Sequence, residues 1–95
     1  MKFAFLIMGE EFNHETDRAC IHKGTAQIIG VSSIDEACSE AEKLMNEGIS
    51  CIELCGAFGP EGTKSVIKAT DNRLPVGYIT HLPEQDGIYE EVFGK

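Results

Sequence analysis

Ninety-five residues are enough for one domain with a single hydrophobic core. The chain carries 16 acidic and 8 basic side chains, a formal net charge of −8. This charge argues against binding to nucleic acid or to an anionic membrane, because such surfaces depend on clustered cations. Apolar residues make up 42% of the chain, enough for a packed core and too many for a disordered protein. We therefore expect a single globular domain over residues 1–95.

The first elements are two strands separated by a long polar segment. Residues 2–8 form a continuous apolar run that predicts a buried strand. Residues 9–23 are polar and unpatterned, and they predict one long loop, whereas residues 25–31 predict a second strand. The apolar residues of this run, Phe3 to Met8, are fewer than the 7–15 or so of a signal peptide core and the roughly 20 of a membrane span. We expect a cytoplasmic protein whose four cysteines stay reduced.

An amphipathic helix follows the second strand. Ser33 and Glu36 have the spacing of a capping box, and Gly48 is placed to end the helix. Apolar residues recur at the spacing of one helical face. The opposite, polar face is predicted to carry Asp35, Glu36, Glu40, Glu42, Lys43 and Glu47.

The second half of the chain predicts two more strands and two more helices. Residues 49–55 and 75–80 have strand patterns, and a helix begins at Pro60 and runs to about Thr70 between them. Pro83 opens a last helix, which is weakened by a glycine. Its apolar residues, expected to dock against the sheet, are Ile88, Tyr89, Val92 and Phe93.

This alternation predicts an α/β fold with a mainly parallel, four-stranded sheet in the order β-(long loop)-β-α-β-α-β-α. Right-handed crossovers in sequential strand order put both crossover helices on one face of the sheet. Because a parallel sheet is rarely left bare on one side, we expect a homo-oligomer to cover the other face. The alternative is that the 9–23 loop and the last helix provide the cover within one chain.

A ligand site is predicted at the carboxyl ends of the strands, where open parallel sheets bind their ligands. The segment from Cys55 to Thr63 runs from a strand through a glycine turn into a helix, whose N-terminus favours an anion. It is neither a P-loop nor a dinucleotide motif, so no cofactor is predicted. The alternative is a tight turn that needs glycine for its dihedral angles. The candidate ligand-binding residues are Gly56, Ala57, Phe58, Gly59, Gly62, Thr63 and Thr80.

Three side chains at or near this edge are catalytic candidates. Cys55 would be a nucleophile with a lowered pKa near a helix N-terminus, and His81 would be its base. Glu53, in the middle of a strand, would be a general base. The alternatives are a buried thiol, a histidine bonded to a loop carbonyl and a glutamate that is solvated or faces another subunit. Cys20 and His22 have a metal-like spacing, but the sequence offers no complete ligand set and no metal site is predicted.

Several runs in the chain resemble a known family. Residues 52–59 (IELCGAFG) and 75–86 (PVGYITHLPEQD) are similar to a small prokaryotic family catalogued only as a domain of unknown function, as are residues 2–9 and 26–31. The resemblance covers most of the chain but implies no activity and no catalytic residues. Its βα segments also resemble pieces of (β/α)₈ barrels, for which 95 residues are too few.

Two functions are consistent with these patterns. One is a protein, with or without enzymatic activity, that binds a small anionic metabolite at the sheet edge and has neither nucleic acid nor membrane as a partner. The other is a non-catalytic, oligomeric binding or regulatory module. A metal-binding protein is a third, weaker alternative.

Overall fold

Five short segments pair into one sheet in the computed structural model, which describes residues 1–94. The strands are β1 (Phe3–Met8), β2 (Arg18–Ile21), β3 (Ala26–Val31), β4 (Cys51–Leu54) and β5 (Val76–Tyr78). Their order across the sheet is β2-β3-β1-β4-β5. The four strands from β3 to β5 are parallel, whereas β2 pairs antiparallel with β3 at one edge.

The sheet is therefore mixed, and the prediction of a mainly parallel, four-stranded sheet is wrong. The difference lies in the segment 9–23, which the sequence pattern assigns to a single loop. The carboxylate of Asp17 accepts a hydrogen bond from the Asn13 amide at 2.7 Å, and the Asp17 amide bonds back to the Asn13 carbonyl at 2.7 Å. This turn leads directly into β2. Strand β2 has only four residues, all exposed, and they do not alternate between apolar and polar, so no strand pattern marks it in the sequence.

Within residues 1–94 three α-helices accompany the sheet: α1 (Ile34–Asn46), α2 (Gly59–Ala69) and α3 (Asp86–Phe93). Short 3₁₀ turns occupy His22–Gly24, Gly56–Phe58 and Pro83–Gln85. The cap predicted for α1 is present, because the Ser33 hydroxyl accepts a hydrogen bond from the Glu36 amide at 3.1 Å. The Glu36 carboxylate bonds to Ser32 instead of Ser33. Within residues 1–94 no helix has the length and apolar character needed to cross a membrane.

The hydrophobic core lies between the sheet and the pair α1 and α2. These two helices pack against each other on one face, as expected. The strand order is not the sequential one on which that expectation was based, because β1 lies between β3 and β4. Both crossovers still step in the same direction across the sheet, so crossovers of the same hand place their helices on the same face. Every second residue of β1, β3 and β4 points towards these two helices. The core consists of Ala4, Leu6, Ile29, Val31, Ala37, Ala41, Leu44, Ile49, Ile52, Leu54, Phe58 and Val66.

The opposite face of the sheet, which we call the open face, is covered by no helix of residues 1–94. It is formed by the alternate strand residues Phe3, Phe5, Ile7, Ala19, Ile21, Ala26, Ile28, Gly30, Cys51 and Glu53. Phe12, from the segment before β2, packs over Gly30, where a Cβ atom would lie 2.8 Å from the Phe12 ring. The rest of this face remains accessible, with Ile28 50% exposed and Phe3 39% exposed.

The last helix, α3, does not dock against the sheet. Its apolar residues are exposed, Val92 by 65% and Phe93 by 73%. Within residues 1–94 the one element that α3 packs against substantially is the turn Pro83–Gln85 before it. Both the predicted docking and the alternative in which α3 covers the sheet within one chain are wrong. Helix α3 is held away from the sheet because Tyr89 stacks on His81, which keeps the helix beside the segment that follows β5.

Candidate functional site

The carboxyl ends of β4 and β5 lie side by side, and the segments predicted to share a site follow them. The Ile79 amide donates to the Leu54 carbonyl at 2.9 Å, which continues the β4–β5 pairing past Tyr78. A Cβ atom on Gly56 would lie 3.4 Å from the Ile79 carbonyl oxygen. The turn after β4 and the segment Ile79–His81 are therefore neighbours at one edge, as parallel pairing requires.

The turn after β4 contains both exposed residues and a core residue. Its 3₁₀ turn is closed by the Phe58 amide, which bonds to the Cys55 carbonyl at 3.1 Å. Gly59 then takes a φ of +61°, which favours glycine, and α2 begins. Gly56 and Ala57 are exposed, whereas Phe58 is part of the core.

The candidate ligand residues further along α2 face inwards. The Thr63 hydroxyl donates to the Gly59 carbonyl at 2.7 Å, and Thr63 is only 6% exposed. A Cβ atom on Gly62 would lie 3.0 Å from the Ile34 side chain, so this glycine allows α1 and α2 to approach closely. The accessible candidates are therefore Gly56, Ala57 and Thr80, together with the half-buried Gly59.

His81 is held in place by two side chains of α3. Its Nε2 atom lies 2.7 Å from Asp86 Oδ1, and its ring stacks on Tyr89 with the ring centroids 3.8 Å apart and the planes 12° apart. The carboxylate and the aromatic ring together fix the orientation of the imidazole. Its other nitrogen, Nδ1, has no hydrogen-bond partner within residues 1–94 and is available to donate to or accept from a ligand.

An open cleft of about 380 Å³ surrounds this histidine. Its volume lies near the lower limit for small-molecule sites, which is roughly 300 Å³. Aromatic and carboxylate side chains line it: His81, Asp86, Tyr89, Glu90 and Phe93, with Gly94 at its end. The cleft therefore combines flat apolar surface with one fixed imidazole and two carboxylates.

The other two catalytic candidates have different surroundings. Cys55 Sγ accepts a hydrogen bond from the Met8 amide at 3.3 Å, and no hydrogen bond joins it to His81 within residues 1–94. Glu53 is exposed on the open face, where its carboxylate covers Gly77 so closely that a Cβ there would lie 3.1 Å from Oε2. The three candidates thus have separate partners and do not form one catalytic group.

A second polar cluster connects α1 to the segment 9–23. Glu40 of α1, predicted on the polar outer face, is instead only 2% exposed. Its Oε1 atom lies 2.9 Å from His14 Nδ1 and 3.1 Å from Arg18 Nη1, and the same Arg18 nitrogen donates to the His14 carbonyl at 2.9 Å. Burial raises the pKa of Glu40, but the hydrogen bonds from His14 and Arg18 outweigh it and leave this pKa below its usual value.

Sequence reasoning missed Asp86, Tyr89 and the Glu40 cluster. Asp86 could have been found from its place in the first turn of a helix that follows His81 and Pro83, because such a turn brings positions five apart together. The Glu40 contacts have no local signal, since its partners precede it by 26 and 22 residues. Within residues 1–94 no group of three or more histidine, cysteine, aspartate or glutamate side chains is arranged to hold a metal ion.

Comparison with known proteins connects this architecture to one family. Neither the curated proteins nor the solved structures contain a match. Residues 1–94 match the model of a family whose description is "Family of unknown function (DUF6506)". That match spans all five strands and all three helices. The chain therefore belongs to this family of unknown function.

Proposed function

We propose that this protein binds a small metabolite at the carboxyl-terminal edge of its sheet, between the turn at 55–59 and the His81 cleft. The observation that carries the proposal is the fixed imidazole of His81, which Asp86 and Tyr89 hold in an open cleft beside two strand ends. A ligand site of this kind needs a few oriented polar groups on a largely apolar wall. We further propose that the protein acts in the cytoplasm, where the exposed Cys20 thiol is kept reduced.

Binding without covalent chemistry is the better-supported form of this proposal. A nucleophile needs its base within hydrogen-bond distance. Cys55 is bonded to the Met8 amide and His81 to Asp86, so neither supports the other as nucleophile and base. Glu53 belongs to the open face. His81 would therefore recognise the ligand by a hydrogen bond, and the protein would act as a binding or regulatory module.

The proposed ligand joins an anionic group to a flat apolar part. The Glu61 amide in the first turn of α2 precedes the first intrahelical hydrogen bond, and the positive end of the helix dipole favours an anion there. The aromatic rings of Tyr89 and Phe93 supply the apolar wall. Asp86 is already engaged by His81, whereas the Glu90 carboxylate would repel an anion and limit its affinity.

Benzoate is a suitable probe because it carries a carboxylate on a flat ring, and benzyl alcohol is the matching probe without the charge. We expect benzoate to shift the amide resonances of Gly56, Ala57, Thr80 and His81 in an NMR titration. His81→Gln should weaken benzoate binding by about tenfold, the effect of one charged hydrogen bond. Glu90→Gln should strengthen the binding of benzoate, but not of benzyl alcohol, by up to about fivefold.

The matched control is His22→Gln, which changes an exposed histidine in the turn beside β2, far along the sheet from β5. This variant should bind benzoate like the wild type. Resonance shifts confined to other parts of the chain, or equal affinity in the His81 and His22 variants, would contradict the proposed site. Benzyl alcohol binding as tightly as benzoate would contradict the anionic ligand while leaving the site in place.

A further inference from the structure

Two apolar surfaces of the chain have no partner within residues 1–94. One is the open face, where Phe3, Ile21 and Ile28 are 39%, 69% and 50% exposed. The other is the apolar side of α3, where the exposed fractions are 53% for Ile88, 65% for Val92 and 73% for Phe93. Contiguous apolar surface of this kind marks an interaction site in a soluble protein.

The total surface of the single chain is also too large for its mass. A monomeric protein of 10.4 kDa is expected to expose about 5,400 Å². This chain exposes 6333 Å², an excess of about 900 Å². A standard stable interface buries about 800 Å² on each partner, so the excess matches the area that one subunit contributes to a dimer. The radius of gyration, 13.6 Å, likewise exceeds the roughly 12.4 Å expected for a chain of this length.

The charges beside the two surfaces are complementary. The polar side of α3 carries Asp86, Glu90 and Glu91, all exposed. Lys2 and Lys23 are exposed near the amino-terminal ends of β1 and β3, where Phe3 pairs with Ala26 and Ala26 with Ile21. In a chain with a net charge of −8, this corner of the sheet attracts an acidic helix, whereas most of the surface repels it.

We propose that two copies of this chain associate reciprocally, so that α3 of each lies across the open face of the other. An eight-residue helix is about 12 Å long and spans two to three strands at about 4.8 Å each. It would cover Phe3, Phe5 and Ile28 on β1 and β3, with its acidic side near Lys23 at the corner of the sheet. Because each chain offers both a helix and a face, a two-fold axis satisfies both contacts at once.

The test is the oligomeric state of the full-length chain, measured by sedimentation equilibrium. The wild type should be a dimer at about 100 μM, a concentration that populates any dimer with a micromolar dissociation constant. Ile28→Asp alters only the open face, and Val92→Asp alters only α3. Each should raise the dissociation constant by at least about 30-fold, the effect of losing one interface hot spot. Ser39→Asp, which adds the same charge at an exposed position of α1, should remain dimeric.

Mixing the two variants tests the reciprocal arrangement. A heterodimer of Ile28→Asp with Val92→Asp keeps one intact contact, between the unaltered helix of the first chain and the unaltered face of the second. The mixture should therefore dimerise more strongly than either variant alone. Ile28→Thr, which keeps a β-branched side chain in the strand, separates loss of the interface from loss of the fold. It should fold like the wild type, by circular dichroism, and associate more weakly.

Three results would overturn this arrangement. A wild-type chain that is monomeric at about 100 μM has no interface of the expected strength. Dissociation by Ile28→Asp but not by Val92→Asp would indicate that two sheets pack face to face and that α3 has another partner. A mixture no more dimeric than its components would exclude reciprocal exchange of helix contacts.

Discussion

Glu40 is a buried carboxylate that stays charged because two side chains of the preceding segment meet it. These partners are the His14 imidazole and the Arg18 guanidinium, whose nitrogens lie 2.9 and 3.1 Å from Glu40 Oε1. Both residues lie between β1 and β3 in the amino-acid sequence. The cluster therefore joins the antiparallel edge of the sheet to the middle of α1. Breaking such a cluster leaves a buried group without its hydrogen bonds, which costs more than the pair itself contributes.

Glu40→Gln should lower the free energy of unfolding by about 1–2 kcal/mol, because the amide keeps the shape of the side chain but loses charged hydrogen bonds to partly exposed partners. Urea denaturation measures this difference. Glu42→Gln, at an exposed position of the same helix, is the matched control and should change stability by less than about 0.5 kcal/mol. Equal stability of the two variants would show that the Glu40 cluster contributes nothing.

The pH dependence of stability should carry the signature of the same residue. Because the folded state lowers the pKa of Glu40 below its usual value of 4.5, the carboxylate contributes its full stabilisation above that pH. The contribution is lost as the pH falls through the lowered folded pKa. The difference in stability between the wild type and Glu40→Gln should therefore shrink on acidification from pH 6. A difference that grows below pH 4.5 would contradict the assigned direction.

For single residues, the sequence predicts the place of a side chain in the fold better than it predicts which side chains it contacts. His81 could be placed at a strand end because its neighbours have a strand pattern, and the structure puts it beside the turn at 55–59. Glu40 could not be placed, since helical periodicity assigns it to a solvent face. The contacts that reverse this assignment come from a segment without any periodic pattern.

Among helices and strands, the sequence predicts an element accurately where its local sequence signals are strong. Helix α1 is predictable to within two residues because capping, amphipathic spacing and a final glycine agree. Strand β2 escapes prediction because its four residues are exposed and their pairing depends on β3 alone. Helix α3 is predictable as an element, but its docking is not. An apolar stripe shows that a helix needs a partner, and it does not show which surface supplies that partner.

The junction between β4 and α2 depends on one glycine. Gly59 has a φ of +61°, and a Cβ there would meet no atom within 4 Å in residues 1–94 outside the adjoining backbone, so any cost of a side chain comes from the backbone conformation. Gly59→Ala should lower the free energy of unfolding by about 1–2 kcal/mol. Gly87→Ala is the matched control, because that glycine also faces open space but lies within helix α3.

The control substitution should not lower stability, since alanine is about 1 kcal/mol better than glycine inside a helix. Both variants can be compared by thermal unfolding followed by circular dichroism. If they have the same melting temperature, the left-handed conformation at position 59 is not a constraint on the fold.

At the scale of the whole molecule, the consequence of the topology could be derived from the sequence. Two crossovers of one hand place α1 and α2 on a single face, and the structure has them there. The opposite face then needs a cover, and the segment 9–23 provides only a strand at the edge and the Phe12 ring. In the proposed dimer a second molecule covers the remainder, and the pattern of one chain contains no direct signal of how that molecule is placed. The proposed dimer also brings the partner chain to the His81 cleft, because α3 forms part of both.

Removing α3 separates its contribution to stability from that of the core. A chain that ends at Gln85 should fold and unfold cooperatively, because α3 contributes no buried residue. Its free energy of unfolding should lie within about 1 kcal/mol of that of the monomeric full-length variant Val92→Asp. Its melting temperature should be independent of protein concentration, whereas that of the wild type should rise with concentration as mass action requires.

Leu44→Ala in the full-length chain is the contrasting variant, since truncating this fully buried side chain should lower the free energy of unfolding by about 2–5 kcal/mol. A shortened chain that fails to fold would mean that α3 stabilises the domain of its own chain, and its exposed apolar side would then no longer argue for contact with a second copy.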